Sequence, residues 1–71
     1  MNRFIVETEE GYTSHRKVRT TVERANQALL RGQEVTIRDR YTARHATIQE
    51  GPVTEDFVRE TLNTEAWRYG L

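Results

Sequence analysis

Two sets of residues in this sequence have the chemistry to bind or react. The first is basic and aromatic, in the stretches HRKVR at 15–19 and RDRYTARH at 38–45. Guanidinium groups make bidentate contacts to carboxylates and phosphates, and a tyrosine ring among them offers a stacking face. Arg16, Arg38, Arg40, Tyr41 and Arg44 are therefore the candidate binding residues. The second set is His15 and His45, the only side chains whose unperturbed pKa suits acid–base work near neutral pH. Neither histidine lies three to five residues from the other, so no metal or relay spacing is present. The sequence has no glycine-rich phosphate loop, nucleophile elbow or motif that pairs two carboxylates. It also lacks cysteine, which excludes a disulfide framework and a thiolate zinc site. No catalytic residue, metal or cofactor is expected.

The charge is uneven along the chain. Eleven basic and eleven acidic residues cancel, yet residues 11–45 hold eight basic groups against three acids. The basic middle lies between acidic ends. Ten of the eleven basic residues are arginine, which fits planar recognition of carboxylate or phosphate and fits equally a bias in codon usage. The basic stretches read as a binding surface for phosphates or for an acidic protein patch. The competing reading is a solvated face balanced by the acids in three dimensions. Glu7, Glu9 and Glu10 with Glu55, Asp56, Glu60 and Glu65 offer a weaker, phosphate-mimicking alternative.

The elements that position these residues follow from periodicity. Thr20 with Glu23 predicts a capping box, and Val22, Ala25, Ala28 and Leu29 recur at helical spacing behind it. Gly32 sits where a helix ends in the left-handed region. Before this helix, 2–9 reads as a strand with Phe4, Val6 and Thr8 on one face, Gly11 as a turn, and 12–19 as a polar edge strand. After it, 34–40 and 43–49 read as two more strands. Val35, Ile37, Ala46 and Ile48 face inward there, while Thr36, Arg38, His45 and Thr47 face out. Gly51-Pro52 ends the sheet, and Thr54 caps a second helix with Val53 and Val58 as a hydrophobic staple. Phe57, Val58 and Leu62 form its inward stripe, Asn63 its C-terminal cap, and Thr64 caps a further turn whose Trp67 docks the tail.

The sum is β-β-α-β-β-α, a single α+β domain over 1–71 with an antiparallel sheet, one main helix across a face and a short C-terminal helix. Ile, Leu, Val and Phe number 15 of 71, so the core is thin and a partner surface or homodimer is expected more readily than usual. No apolar run is longer than the three residues of Phe4 to Val6, so neither a signal peptide nor a membrane-spanning helix is expected. Met1 reads as the start of a complete chain, and a cytoplasmic location in a bacterial host cell is expected.

A short, cysteine-free, Arg- and Thr-rich α+β chain without a catalytic motif resembles the small accessory proteins of bacteriophages, of the anti-CRISPR type. The resemblance covers size and element order over most of the chain and involves no residue motif. It implies a stoichiometric inhibitor that binds a host defence (CRISPR-Cas) or nucleic-acid-handling protein and performs no reaction. The strand–hairpin–helix opening is also similar to HicB-type antitoxins, although Arg19-Thr20-Thr21 stands where Gly-Asp-Thr is looked for. Small bacterial ribonucleases use Arg, Tyr and His on a sheet, and His15, Arg16, Tyr41, Arg44 and His45 could imitate that set. Two further readings stand beside the inhibitor: a nucleic-acid-binding protein using 15–19 and 38–45, and a regulatory dimer completed through its helix stripe or edge strand.

Overall fold

The computed structural model describes residues 2–62. Within them, β1 (Phe4–Thr8), β2 (Gly11–His15), α1 (Val18–Leu30), β3 (Val35–Asp39), β4 (Arg44–Ile48) and α2 (Glu55–Leu62) follow in chain order. The four strands form one antiparallel sheet in the order β2-β1-β3-β4. Two hairpins, β1–β2 and β3–β4, are thus joined edge to edge through β1 and β3, with α1 as the crossover between them.

Strand alternation explains which face the helix covers. Phe4 and Val6 on β1 lie opposite Asp39 and Ile37 on β3, and directly opposed residues share a face. That face also carries Val35, and it packs under Ala25 and Ala28 of α1 and Val53, Val58 and Leu62 around α2. Two alanines at the centre of α1 let the helix lie close to the sheet, while Val18, Val22 and Leu29 fill its flanks. Each fully buried Phe, Leu, Ile or Val contributes about 1.5–3 kcal/mol. The opposite face is open and polar, with Thr36 and Thr47 hydroxyls 3.0 Å apart across β3 and β4.

The ends of α1 show one expectation met and one overturned. Gly32 adopts φ +79°, donates to the Leu29 carbonyl, and lets the Gln33 N–H reach Ala28 O. This is the double-bonded C-terminal motif that glycine favours. The expected Thr20–Glu23 capping box does not form. The helix starts at Val18 with an extended Lys17 as N-cap and no side-chain cap bond. Val18 packs against the core, and burying it draws the helix start three residues earlier than the polar pattern suggests. Thr20 and Thr21 instead donate to the Lys17 carbonyl at 3.2 and 2.8 Å, which allows Thr21 to be wholly buried. The second strand consequently ends at His15, and Val18 and Arg19 are helical.

At α2 the Thr54 hydroxyl accepts the Phe57 N–H at 3.1 Å, and Val53 and Val58 are both buried, as a staple requires. Phe57 departs from the expected inward stripe: it is 36% exposed, because the inward positions one turn apart are Val58 and Leu62. The expectations for Asn63, Thr64 and Trp67 lie outside the described residues. Asn26 ties the loop before α2 to α1. Its Nδ2 donates to the Val53 carbonyl at 3.0 Å and its Oδ1 accepts the Val53 N–H at 2.7 Å, so the amide replaces a missing strand partner.

Asn26→Ala leaves both Val53 backbone groups unpaired and is expected to lower stability by about 2 kcal/mol. Asn26→Asp keeps only the acceptor and should fall between the two. Urea unfolding midpoints of the three proteins check this, and equal midpoints would contradict it.

Candidate functional site

The β3–β4 hairpin carries four of the five sequence-predicted binding residues, and its geometry depends on two residues outside that prediction. Asp39 is in phase with Val35 and Ile37 and therefore enters the helix-covered face, where it is 1% exposed. A carboxylate there needs partners, since burying an unpaired charge is costly. Arg3 supplies them as a fork: Nε donates to Oδ1 at 2.9 Å and Nη2 to Oδ2 at 3.0 Å. The Tyr41 N–H adds a third bond to Oδ1 at 2.9 Å. Arg3 also receives the loop's backbone, for its carbonyl accepts the Arg40 N–H at 2.9 Å.

The loop itself runs from Arg40 to Ala43. Its turn closes when the Ala43 N–H donates to the Asp39 carbonyl at 2.9 Å, with Ala43 in the left-handed region at φ 61°. The Thr42 hydroxyl donates to the Leu62 carbonyl and so fastens the loop to the end of α2. Tyr41 is 73% exposed, and its ring lies 4.5 Å from the Arg3 guanidinium carbon, a cation–π contact. The hairpin tip is thus held by backbone and side-chain bonds on three sides while its aromatic ring remains open to solvent.

Arg38, Arg40 and Arg44 border a shallow depression of about 310 Å³ whose apolar wall is Ile5. They are not equivalent. Arg38 faces the open side of the sheet and pairs with Glu7. Arg40 and Arg44 have no acidic partner among the described residues. Arg16 lies apart from the group. It follows β2, two strands from β3, so about 10 Å of sheet intervenes. HRKVR is also divided among the end of β2, a bend and a helix start, and does not form one basic strand.

The histidines do not meet. β2 and β4 are the two outer strands, which puts three strand spacings, about 14 Å, between them. His15 is opposite Phe4 on the helix side, whereas His45 is opposite Arg38 on the open side. The ribonuclease-like set is therefore not assembled. His15 Nε2 lies 2.8 Å from the Thr13 hydroxyl, and burial followed by the nearby Arg24 charge lowers its pKa. Part of the acidic set is drawn into ion pairs, Glu7 with Arg38, Glu10 with Arg31, and Glu55 and Asp56 with Arg59, whereas Glu9 and Glu60 have none among the described residues. Among the described residues, no three His, Asp or Glu side chains are grouped to hold a metal ion, and no helix is long and apolar enough to cross a membrane.

Arg3 and Asp39 were legible only in part. A charged residue in step with Val35 and Ile37 signals a buried carboxylate, but nothing in the spacing points to a partner 36 positions away. No protein-family model, curated protein or solved structure matches this chain.

Asp39→Ala removes the carboxylate that the Arg3 fork grips and frees the Tyr41 N–H, so a loss of about 3 kcal/mol is expected, with Arg3→Leu/Asp39→Leu recovering much of it. A double-mutant cycle from urea unfolding measures the coupling, and additive losses would contradict the assignment. His15 gives a pH prediction. Its folded pKa lies below the unfolded value of 6.5, so its stability contribution is complete above that pH. As pH falls through 6.5 the unfolded chain takes up the proton first, and stability drops until the folded pKa is reached. Denaturation midpoints taken at about pH 7.5 and 5.5 should differ in the parent and differ less in His15→Gln.

Proposed function

We propose that this protein is a non-catalytic binding protein that docks the β3–β4 hairpin onto an acidic surface of a protein partner. The observation that carries the reading is Tyr41, largely exposed on a braced loop between two arginines, Arg40 and Arg44, that lack acidic partners among the described residues. Interfaces draw most of their affinity from a few Tyr, Trp and Arg anchors, and a loop that is already ordered loses little entropy on binding. The separation of His15 from His45 supports a binding role over acid–base catalysis. In the phage-encoded version of this reading, the partner is a host defence or nucleic-acid-handling protein, and the hairpin blocks it stoichiometrically.

A nucleic-acid role is the second reading, favoured by the three arginines around one depression. Arg38 is already neutralised by Glu7, however, and the chain as a whole has no net charge. Affinity for a duplex grows with the number of phosphates neutralised. Two unpaired arginines fit a carboxylate patch on a protein better than a phosphate track.

The test compares the parent with Tyr41→Ala and Arg40→Ala/Arg44→Ala as bait in a nuclease-treated bacterial lysate, alongside titration with a short duplex and a single strand. A protein retained by the parent and lost from both variants is the expected result. Nucleic-acid binding that weakens steeply with salt, with no protein retained, would overturn it in favour of the second reading.

A further inference from the structure

β2 is an outer strand of the sheet, and one of its edges carries a row of unpaired backbone groups. The hydrogen-bonding phase of the sheet can be traced from one contact. The Arg40 N–H bonds to the Arg3 carbonyl, so the backbone of Arg3, Ile5 and Glu7 faces β3, and that of Phe4, Val6 and Thr8 faces β2. Gly11, Thr13 and His15 accordingly bond to β1. The N–H and C=O groups of Tyr12 and Ser14 point away from the sheet.

The two outer strands differ in how they are guarded. β4 begins with two basic residues, Arg44 and His45, while each outer strand has a helix packed against it, α2 on β4 and α1 on β2. β2, GYTSH, has no proline, lysine or acid within it to discourage another strand. Its flanks carry charge of opposite sign: Glu9 and Glu10 before it, Arg16 and Lys17 after it.

We infer that two copies associate through an antiparallel β2–β2 contact centred on Thr13, extending the sheet to eight strands about a two-fold axis. In this register Tyr12 of each copy exchanges both backbone bonds with Ser14 of the other, which is the phase the sheet requires. Thr13 meets its own counterpart, a favourable cross-strand pair. His15 faces Gly11 of the second copy, where the surroundings are open and no side chain competes for room. Tyr12, 70% exposed on the open face, comes within reach of its equivalent across the diagonal. Beyond the strand, Arg16 stands across from Glu10 of the second copy, and Lys17 across from Glu9. Arg16, Lys17 and Glu9 have no ion-pair partner among the described residues, and Glu10 has only a 3.8 Å contact to Arg31. A second copy satisfies all four charges by symmetry, and zero net charge does not oppose the approach. A shift of two residues in register loses the charge match, so the ends select the pairing.

Sedimentation velocity at low salt, over roughly two decades of concentration up to about 1 mM, tests the proposal. The mass is expected to rise toward twice that of the chain, and to rise less when salt screens the end charges. Arg16→Glu and Glu10→Arg should each raise the dimer Kd by about tenfold or more, and the two together should restore it. Ser14→Pro removes an outward N–H without touching the β1 ladder and should give a folded monomer. If that variant does not fold, the charge-reversal pair decides. A monomer at every concentration would overturn the proposal, as would association unaffected by either single reversal.

Discussion

A carboxylate on the inner face of a sheet has to be paired, and here the pairing organises one end of the molecule. Asp39 enters the helix-covered face because it is the third residue of an inward series, after Val35 and Ile37. Its two oxygens are taken up by the Arg3 fork and by the Tyr41 N–H. Arg3 is drawn from the residue before β1 and brings a cation to within 4.5 Å of the Tyr41 ring. One buried anion therefore connects the N-terminal segment, the β3 end, the β3–β4 loop and the exposed aromatic. The pair adds little net stability over a well-packed apolar equivalent, but either partner alone is strongly unfavourable. The three bonds to Asp39 tie the Arg3 side chain and the Tyr41 backbone to the same end of β3.

The same economy governs the charges elsewhere. Glu7 and Glu10 come from the acidic N-terminal segment and pair with Arg38 and Arg31 of the basic middle. Much of the one-dimensional charge asymmetry is thus cancelled in space. Arg40 and Arg44 beside Tyr41, and Glu9, Arg16 and Lys17 at the two ends of β2, are among the charges left without a salt bridge among the described residues. The two surfaces lie on opposite outer strands of the sheet, so a β2 contact between copies leaves both hairpin tips accessible. A small domain with a thin core gains from such an arrangement, because edge pairing extends the sheet without demanding further apolar residues.

Periodicity made most of the fold legible. The alternation of Val35, Ile37, Ala46 and Ile48, the helical recurrence of Ala25 and Ala28, and the glycine at position 32 each reflect constraints that act within a few residues. The order of elements and the inward faces follow from them. The missed details are those where two local signals competed. Thr20 and Glu23 satisfy a capping pattern, yet burial of Val18 and Thr21 moves the helix start ahead of it. Phe57 is apolar, but Val58 and Leu62 occupy the one-turn spacing that α2 buries. In the first case a gain from packing exceeded a local hydrogen-bonding preference, and in the second the helical spacing decided which apolar residues are buried.

The candidate site was legible in its residue types and not in its geometry. Arg38, Arg40, Tyr41 and Arg44 share one short stretch, so a basic hairpin with an aromatic was readable from the chain alone. Which arginines remain without acidic partners was not, because Glu7 lies 31 positions from Arg38. The same holds for Arg16, whose nearness in composition implied a shared surface until the strand order placed β1 between them. By itself, then, the sequence determined the elements, their faces and the chemical character of the hairpin, all set by short-range periodicity and charge type. The polarity of the second strand already marked it as an edge, which the strand order bears out. The full strand order and the Arg3–Asp39 pair were decided only by the tertiary structure, since each depends on residues brought together across more than ten positions of chain.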